Sequence, residues 1–231
     1  MTERRTAQAP AFANSVFINC PFDREYQTLL LRPILFTVLS LGFAPRIATE
    51  RSDSAENRIR KICELVRESQ FSIHDLSRLK PGDGDFARMN MPFELGIDYG
   101  AREFGRPALR RKRCLILGAK QYDYQKALSD LSGVDIKSHE EDPENAVSAV
   151  RDRFFETVGV RPAPTSRELW YAFGDFQSAL YSASRSRDEI DRMRDAEFIY
   201  HVQEWRTERA KKANAGHRVP SSSRPSSRPR R

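Results

Sequence analysis

Two hydrophobic periods alternate along this chain, and that alternation constrains its fold more than any other feature. Five short apolar runs recur along it: SVFINC, FAPRIA, FSIHDL, RCLILGA and GVDIKS. Each is the length of a strand. Between them lie longer stretches with apolar residues three and four positions apart. In one, Ile59, Ile62, Cys63 and Val66 share a face, with Ser54 as candidate N-cap and Glu56 near the positive helix end. In another, Phe93, Ile97, Ala101 and Phe104 do so. A helix from about Arg24 to Leu41 carries Pro33, which predicts a kink or a restart, and Gly42 ends it. Strands alternating with helices in this way predict an α/β domain with a mainly parallel sheet, closed by a helix from Pro143 to Val158.

After RPAPTS (161–166) the pattern becomes helix alone. Leu169, Phe173, Phe176 and Leu180 form one stripe, and Ile190, Met193, Val202 and Trp205 suggest another. Two such helices predict an antiparallel hairpin that docks on the domain or pairs with a second subunit. The expected organisation is a flexible start (1–13), an α/β domain (14–160), a helical hairpin (161–212) and a disordered basic tail (213–231). The fold class is a flavodoxin-like three-layer sandwich with a mainly parallel five-stranded sheet, followed by that hairpin.

The net charge of +7 over 231 residues suggests a nucleic-acid partner until it is located. Nine Lys/Arg and one Glu fall between Arg206 and Arg231, so residues 1–205 carry about −1. The basic character belongs to the tail, whose VPSSSRPSSRPRR composition cannot bury a core. Such a tail can touch nucleic acid through phosphates, without sequence readout. The plainer reading is a solvated tail with no selected partner. No apolar run approaches the roughly 18 residues of a membrane span, and the first residues lack a secretory apolar stretch. Cys20, Cys63 and Cys114 form no CxxC pair, which argues against a disulfide framework or a zinc site and for a reducing cytoplasm.

In an open parallel sheet, ligands bind beyond the carboxyl ends of the strands, where strand order reverses. For a flavodoxin-like order that point lies between the first and third strands. The first leads into Asn19-Cys20-Pro21-Phe22, and the third ends His74-Asp75. The loop after the third strand delivers Glu94 to the start of its helix. Glu94 beside Pro92 can be explained by helix capping and the dipole. The same dipole would hold it ionised, as a nucleophile or a partner for positive charge, which suits cleavage of an N-glycosidic bond through an oxocarbenium-like transition state. Asp98, one turn on, is a second candidate, and Gly96 and Gly100 leave the backbone open to close approach. Asp75 either caps the following loop or acts on a base or ribose as hydrogen-bonding group or acid. Phe17 and Phe22 are core residues or a stacking surface for a base. His74 reads as a packed strand residue, and a Cys20–histidine nucleophilic pair is a lesser alternative.

VFINCPF, ENRIRKICELVRESQFSIHDLS and NMPFELG, with CLIL behind them, resemble the fold shared by nucleoside 2-deoxyribosyltransferases and Toll/interleukin-1 receptor (TIR) domains. More closely, the chain resembles bacterial TIR-like predicted nucleotide-binding proteins, over about 15–158. The resemblance implies that Glu94 performs N-glycosidic chemistry, because Glu94-Leu95-Gly96 matches the E-x-G segment of the transferases. Their Asp-Gly-Thr lead-in is replaced by Arg88-Met89-Asn90, with Asp83-Gly84-Asp85 further upstream, and the TIR Trp-Cys signature is absent. Expected roles are therefore catalytic for Glu94 and Asp75, and substrate-binding for Phe17, Asn19, Cys20, Pro21, Phe22, Asn90 and Asp98. No metal or cofactor is required, and NAD or another nucleotide or nucleoside is substrate or ligand. The alternatives are deoxyribosyl transfer and a non-catalytic nucleotide sensor. The family also implies assembly as a homo-oligomer and a role in bacterial defence or stress signalling.

Overall fold

The computed structural model describes residues 11–79, 88–126, 128–184 and 186–216. Most of the expected flexible start, most of the basic tail and the Asp83-Gly84-Asp85 segment lie outside these residues. Within them, Phe12–Asn14 make a 3₁₀ turn, and the Phe12 carbonyl accepts a hydrogen bond from the Gln70 amide at 3.0 Å. Residues 11–13 are therefore tied to the sheet, not a flexible start.

Five parallel strands form one sheet: β1 Ser15–Asn19, β2 Ala44–Ile47, β3 Phe71–Asp75, β4 Arg113–Gly118 and β5 Lys137–Ser138. Their order, β2-β1-β3-β4-β5, is the flavodoxin-like one, with the reversal beside β1. GVDIKS contributes only two strand residues, pairing Lys137 with Leu117 and Ser138 with Gly118. Alternation sorts the strand side chains by face. Val16, Ile18, Ile73, Leu115 and Leu117 meet α2 (Arg32–Ser40) and α5 (Pro143–Arg153). On the other face, Phe17 packs on Ile62, Leu65 and Val66 of α3 (Arg58–Arg67), and Ile116 packs with Met91 and Leu95 of α4 (Asn90–Phe104).

The helix expected from Arg24 is α1 (Arg24–Tyr26), a π-helical turn over Gln27–Leu31, and then α2. Pro33 falls in the first turn of α2. A proline removes one amide donor and crowds the carbonyl four residues back, and the wider turn ahead of it accommodates both. Asn57, not Ser54, caps α3, accepting from the Ile59 and Arg60 amides at 3.0 and 3.2 Å.

Only the middle of the Phe93–Phe104 stripe faces the core. Phe93 is 61% and Phe104 89% exposed, while Met91, Leu95 and Asp98 are turned inward. Ile97 and Ala101 lean on the α3 cluster, so the apolar spacing found the helix but mistook its outer flank for its buried one.

The C-terminal region contains three helices rather than two: α6 Ser166–Ala183, α7 Arg187–Asp191 and α8 Asp195–Gly216. Ile190 belongs to α7, and α8 continues past the expected boundary at 212. Leu169, Phe173, Phe176 and Leu180 join Ile190, Phe198 and Val202 in the same cluster as α2 and α5. Phe36 of α2 lies within 6 Å, ring to ring, of Phe173, Phe176 and Trp205. The stripe is thus spent inside the chain. All of α2 from Arg32 to Leu39 is buried, as its sequence RPILFTVL, apolar nearly all round, requires. Its one charged side chain, Arg32, donates to the Ile190 and Met193 carbonyls at 2.7 and 3.3 Å and lies 5.4 Å from the Phe198 ring centre. This anchors the turn between α7 and α8. No described helix is long and apolar enough to cross a membrane.

Candidate functional site

A cleft of about 690 Å³ opens at the carboxyl ends of β1 and β2 and the start of α4. The turn after β1 supplies Asn19, Cys20, Pro21, Phe22 and Asp23, and Thr49 follows β2. Arg58 enters from the first residue of α3; Arg88 to Met91 and Glu94 enter from α4 and its approach.

The position of α4 is set from β1. Asn19 Nδ2 donates to the Met91 carbonyl at 2.9 Å and lies 3.0 Å from His74 Nδ1 on the neighbouring strand. With Asn19 donating on that side, the His74 Nε2 proton faces Asp98 Oδ2, 3.0 Å away. Asp98 also accepts from Ser72 Oγ and meets the Lys112 ammonium at 2.9 Å. Lys112 in turn holds the Val66 and Ser69 carbonyls, joining α3 to α4. Burial pushes the Asp98 carboxyl up; His74, Lys112 and Ser72 outweigh this and hold it far below the usual carboxylate range. His74, Asp98 and Cys114 are residue types that ligate metals, yet the Lys112 ammonium already supplies the countercharge there. Asp98 is therefore a structural anion behind the cleft, not a substrate-binding group inside it.

Asp75 differs more sharply from expectation. It is 0% exposed and accepts from the Tyr26 hydroxyl, from His139 Nε2 at 3.0 Å and from the Ser77 amide at 2.8 Å. The Glu141 amide donates to His139 Nδ1 at 3.0 Å, which turns the other ring nitrogen's proton to Asp75. Burial pushes this carboxyl up as well, but His139, Tyr26 and Ser77 bring it below the ordinary value. The group ties α1, β3 and the turn after β5 together. It has no access to the cleft, so it neither binds a base nor donates a proton to one. Phe17 is likewise sealed, edge-on to His74 at 5.8 Å, and is core.

Asn19, Cys20, Pro21, Phe22, Asn90 and Glu94 do meet at the cleft. Cys20 is buried in its wall. Burial and then nearby carboxylates raise its thiol well above the ordinary range, which makes it a poor nucleophile.

Glu94 lies in the second turn of α4, not the first, because the helix begins at Asn90. It is 5% exposed, and among the described residues no group hydrogen-bonds its carboxylate. Burial therefore raises its pKa, opposed by the Arg58 guanidinium 3.9 Å away. The expectation of a carboxylate held negative by helix amides is replaced by one stripped of water and weakly countered by a single arginine. Such a group gains most when a further positive charge is brought to it. The other cleft carboxylate, Asp23, caps α1 through the Tyr26 amide at 3.0 Å and pairs with Arg78 at 2.8 Å and Arg88 at 3.2 Å. Asp23 is saturated, whereas Glu94 is free to act.

Sequence reasoning missed Arg58, Thr49, Asp23 and the donors Tyr26 and His139. Arg58 could have been found once Asn57 was recognised as the N-cap, since α3 then starts at the cleft. Asp23-Arg-Glu-Tyr likewise reads as a capped helix start. The fold and cleft define a flavodoxin-like α/β protein in which, among the described residues, Glu94 is the cleft carboxylate without a hydrogen-bond donor. The chain matches no family model and no curated protein.

Proposed function

We propose that the cleft binds a nucleotide with its sugar against Glu94, and that the protein cleaves or transfers at the N-glycosidic bond, with NAD the favoured substrate. The observation that carries this reading is the desolvated Glu94 carboxylate in the cleft wall, countered only by the Arg58 guanidinium 3.9 Å away among the described residues. When the C1′–N bond breaks, its electron pair leaves with the base and positive charge develops on the sugar. A desolvated carboxylate stabilises that charge more strongly than one exposed to water. Water then completes hydrolysis, or a second base completes exchange.

The state of Asp75 and Asp23 bears on the substrate. Purines and pyrimidines leave well only when a ring nitrogen is protonated, whereas a pyridinium base departs as a neutral molecule with no acid. Among the described residues, the cleft offers no second carboxyl group free to deliver a proton. A pyridinium substrate such as NAD makes no demand for one. The Phe22 ring, half-exposed on the wall with the Arg58 guanidinium 5.9 Å from its centre, is the aromatic surface available to a planar base.

The test is incubation of the purified full chain with NAD and with deoxynucleosides, following release of free base by chromatography. Release from NAD that falls on the order of 10²–10³-fold in Glu94→Gln is expected. Release unaffected by Glu94→Gln overturns the reading, and binding of NAD without turnover identifies a nucleotide-sensing module instead.

A further inference from the structure

A second groove of about 690 Å³ runs on from the cleft, and the two share Phe22, Thr49 and Arg58. Its far wall is made by 191–195, the turn between α7 and α8. That turn is fixed from two sides: Arg32 holds the Ile190 and Met193 carbonyls, and the Thr49 hydroxyl donates to Asp195 Oδ2 at 2.7 Å. The C-terminal helices therefore help to shape the ligand groove.

The charges along the groove are unevenly satisfied. Arg51 pairs with Glu56 and Glu64, Lys61 with Glu56 and Arg192 with Asp188. The acids are engaged too: Asp53 accepts from the Ala55 amide at 2.9 Å, Asp191 faces Arg187 at 4.0 Å, and Asp195 holds Thr49. Arg24 and Arg194 are exposed and have no ion pair among the described residues. Arg58, which lines both cavities, has one ion pair among the described residues, the long contact to Glu94, and lies over the Phe22 ring. Three guanidiniums from three separate elements thus line the second groove, and one of them, Arg58, also lines the adjoining cleft that holds Glu94.

We infer that this second groove is a phosphate subsite: Arg24, Arg58 and Arg194 receive the phosphate or diphosphate of a nucleotide whose sugar lies at Glu94. This extends the reading given above and rests on it for the ligand's orientation. Guanidinium groups suit phosphate oxygens through paired, charge-assisted hydrogen bonds. A ligand of this class exceeds a nucleoside in length and charge, and the groove and the adjoining cleft provide for both.

The experiment is calorimetric binding of ADP and of adenosine to the full chain, with single-stranded oligonucleotide as a third probe. ADP is expected to bind about tenfold or more tightly than adenosine, with the difference shrinking as salt rises. Arg24→Ala and Arg194→Ala each bring ADP about three- to tenfold closer to adenosine, and Arg194→Lys recovers part of the loss. Both arginines are exposed, and circular dichroism verifies that the variants fold. Equal affinity for ADP and adenosine, no binding of ADP, or arginine variants that bind ADP as tightly as the parent would each overturn the inference. So would an oligonucleotide that binds more tightly than ADP and displaces it. Glu94-dependent base release without an ADP preference removes the phosphate subsite alone. The expected ADP preference without base release removes the catalytic reading alone.

Discussion

The side-chain amide of Asn19, the last residue of β1, donates to the main-chain carbonyl of Met91 in the first turn of α4 at 2.9 Å. One strand end thereby sets the height of the helix that carries Glu94, and the same Asn19 nitrogen faces His74 in the buried network behind it. Removing this donor leaves the buried His74 Nδ1 without its partner and the Met91 carbonyl with its helix bond alone. Asn19→Ala is expected to destabilise the protein by about 1–3 kcal/mol. Asn19→Asp should cost more at neutral pH, because it sets an anion against the carbonyl oxygen, and should recover as the pH is lowered. Urea midpoints across pH measure both.

Burial raises the Glu94 carboxyl above its ordinary value, against the pull of Arg58. A carboxyl with a raised folded pKa contributes stability when protonated, below its unfolded value, and loses it as pH rises through the folded value. Above the ordinary glutamate value, the burial of this carboxyl therefore weakens the fold as pH rises. Glu94→Gln is expected to melt at a higher temperature than the parent at pH 7–8, with the gain vanishing below the ordinary glutamate value of 4.5. Paired thermal melts at several pH values decide it, and a gain that is constant with pH would contradict the burial argument.

The Asp98 cluster has the opposite sign. Its carboxyl is depressed once His74, Lys112 and Ser72 have outweighed burial. That stability is present above the ordinary aspartate value of 3.8 and is lost as pH falls below it. Asp98→Asn leaves the buried Lys112 ammonium without its anion and should cost about 3–5 kcal/mol at neutral pH. The variant's remaining stability should depend less on acid than the parent's, which acid titration followed by tryptophan fluorescence would report.

Asp75 is a tie between elements, and its donors should behave accordingly. Tyr26→Phe removes one hydrogen bond to a buried carboxylate and is expected to lower stability by about 1–3 kcal/mol. Base release per folded molecule should stay at the parent level, because the pair has no path to the cleft. A fall in turnover beyond the loss of folded protein would return Asp75 to the chemistry.

Strand positions, sheet order and the carboxyl-end location of the cleft were legible in the sequence because they follow from hydrophobic period and strand connection alone. SVFINC and FSIHDL each became a strand ending in polar residues, and Asn19, Phe22 and Glu94 came to one cleft. Periodicity cannot tell which polar residue at a strand end is free. Asp75 and Glu94 read alike as carboxylates near the reversal point. The hydroxyl of Tyr26 and the ring of His139, 49 and 64 residues away, join the Ser77 amide in making Asp75 a hydrogen-bonded anion, whereas no described group donates to Glu94. The flank of α4 was misread for a related reason: its buried side carries Asp98 among Met91 and Leu95, so the apolar count favoured the wrong edge. RPILFTVL carries the sign of the C-terminal helices' docking in its composition. A helix apolar all round needs cover on both sides, and α6 and α8 provide it.

That enclosure of α2 has a consequence for dissecting the molecule. A shortened version that stops at the closing turn of the α/β unit would leave the Phe36 ring and the guanidinium of Arg32 facing water, with neither aromatic nor carbonyl neighbours. Such a fragment would stick to itself rather than stand as a minimal folded unit. Anyone seeking one must first recolour the outer surface of that helix with polar side chains.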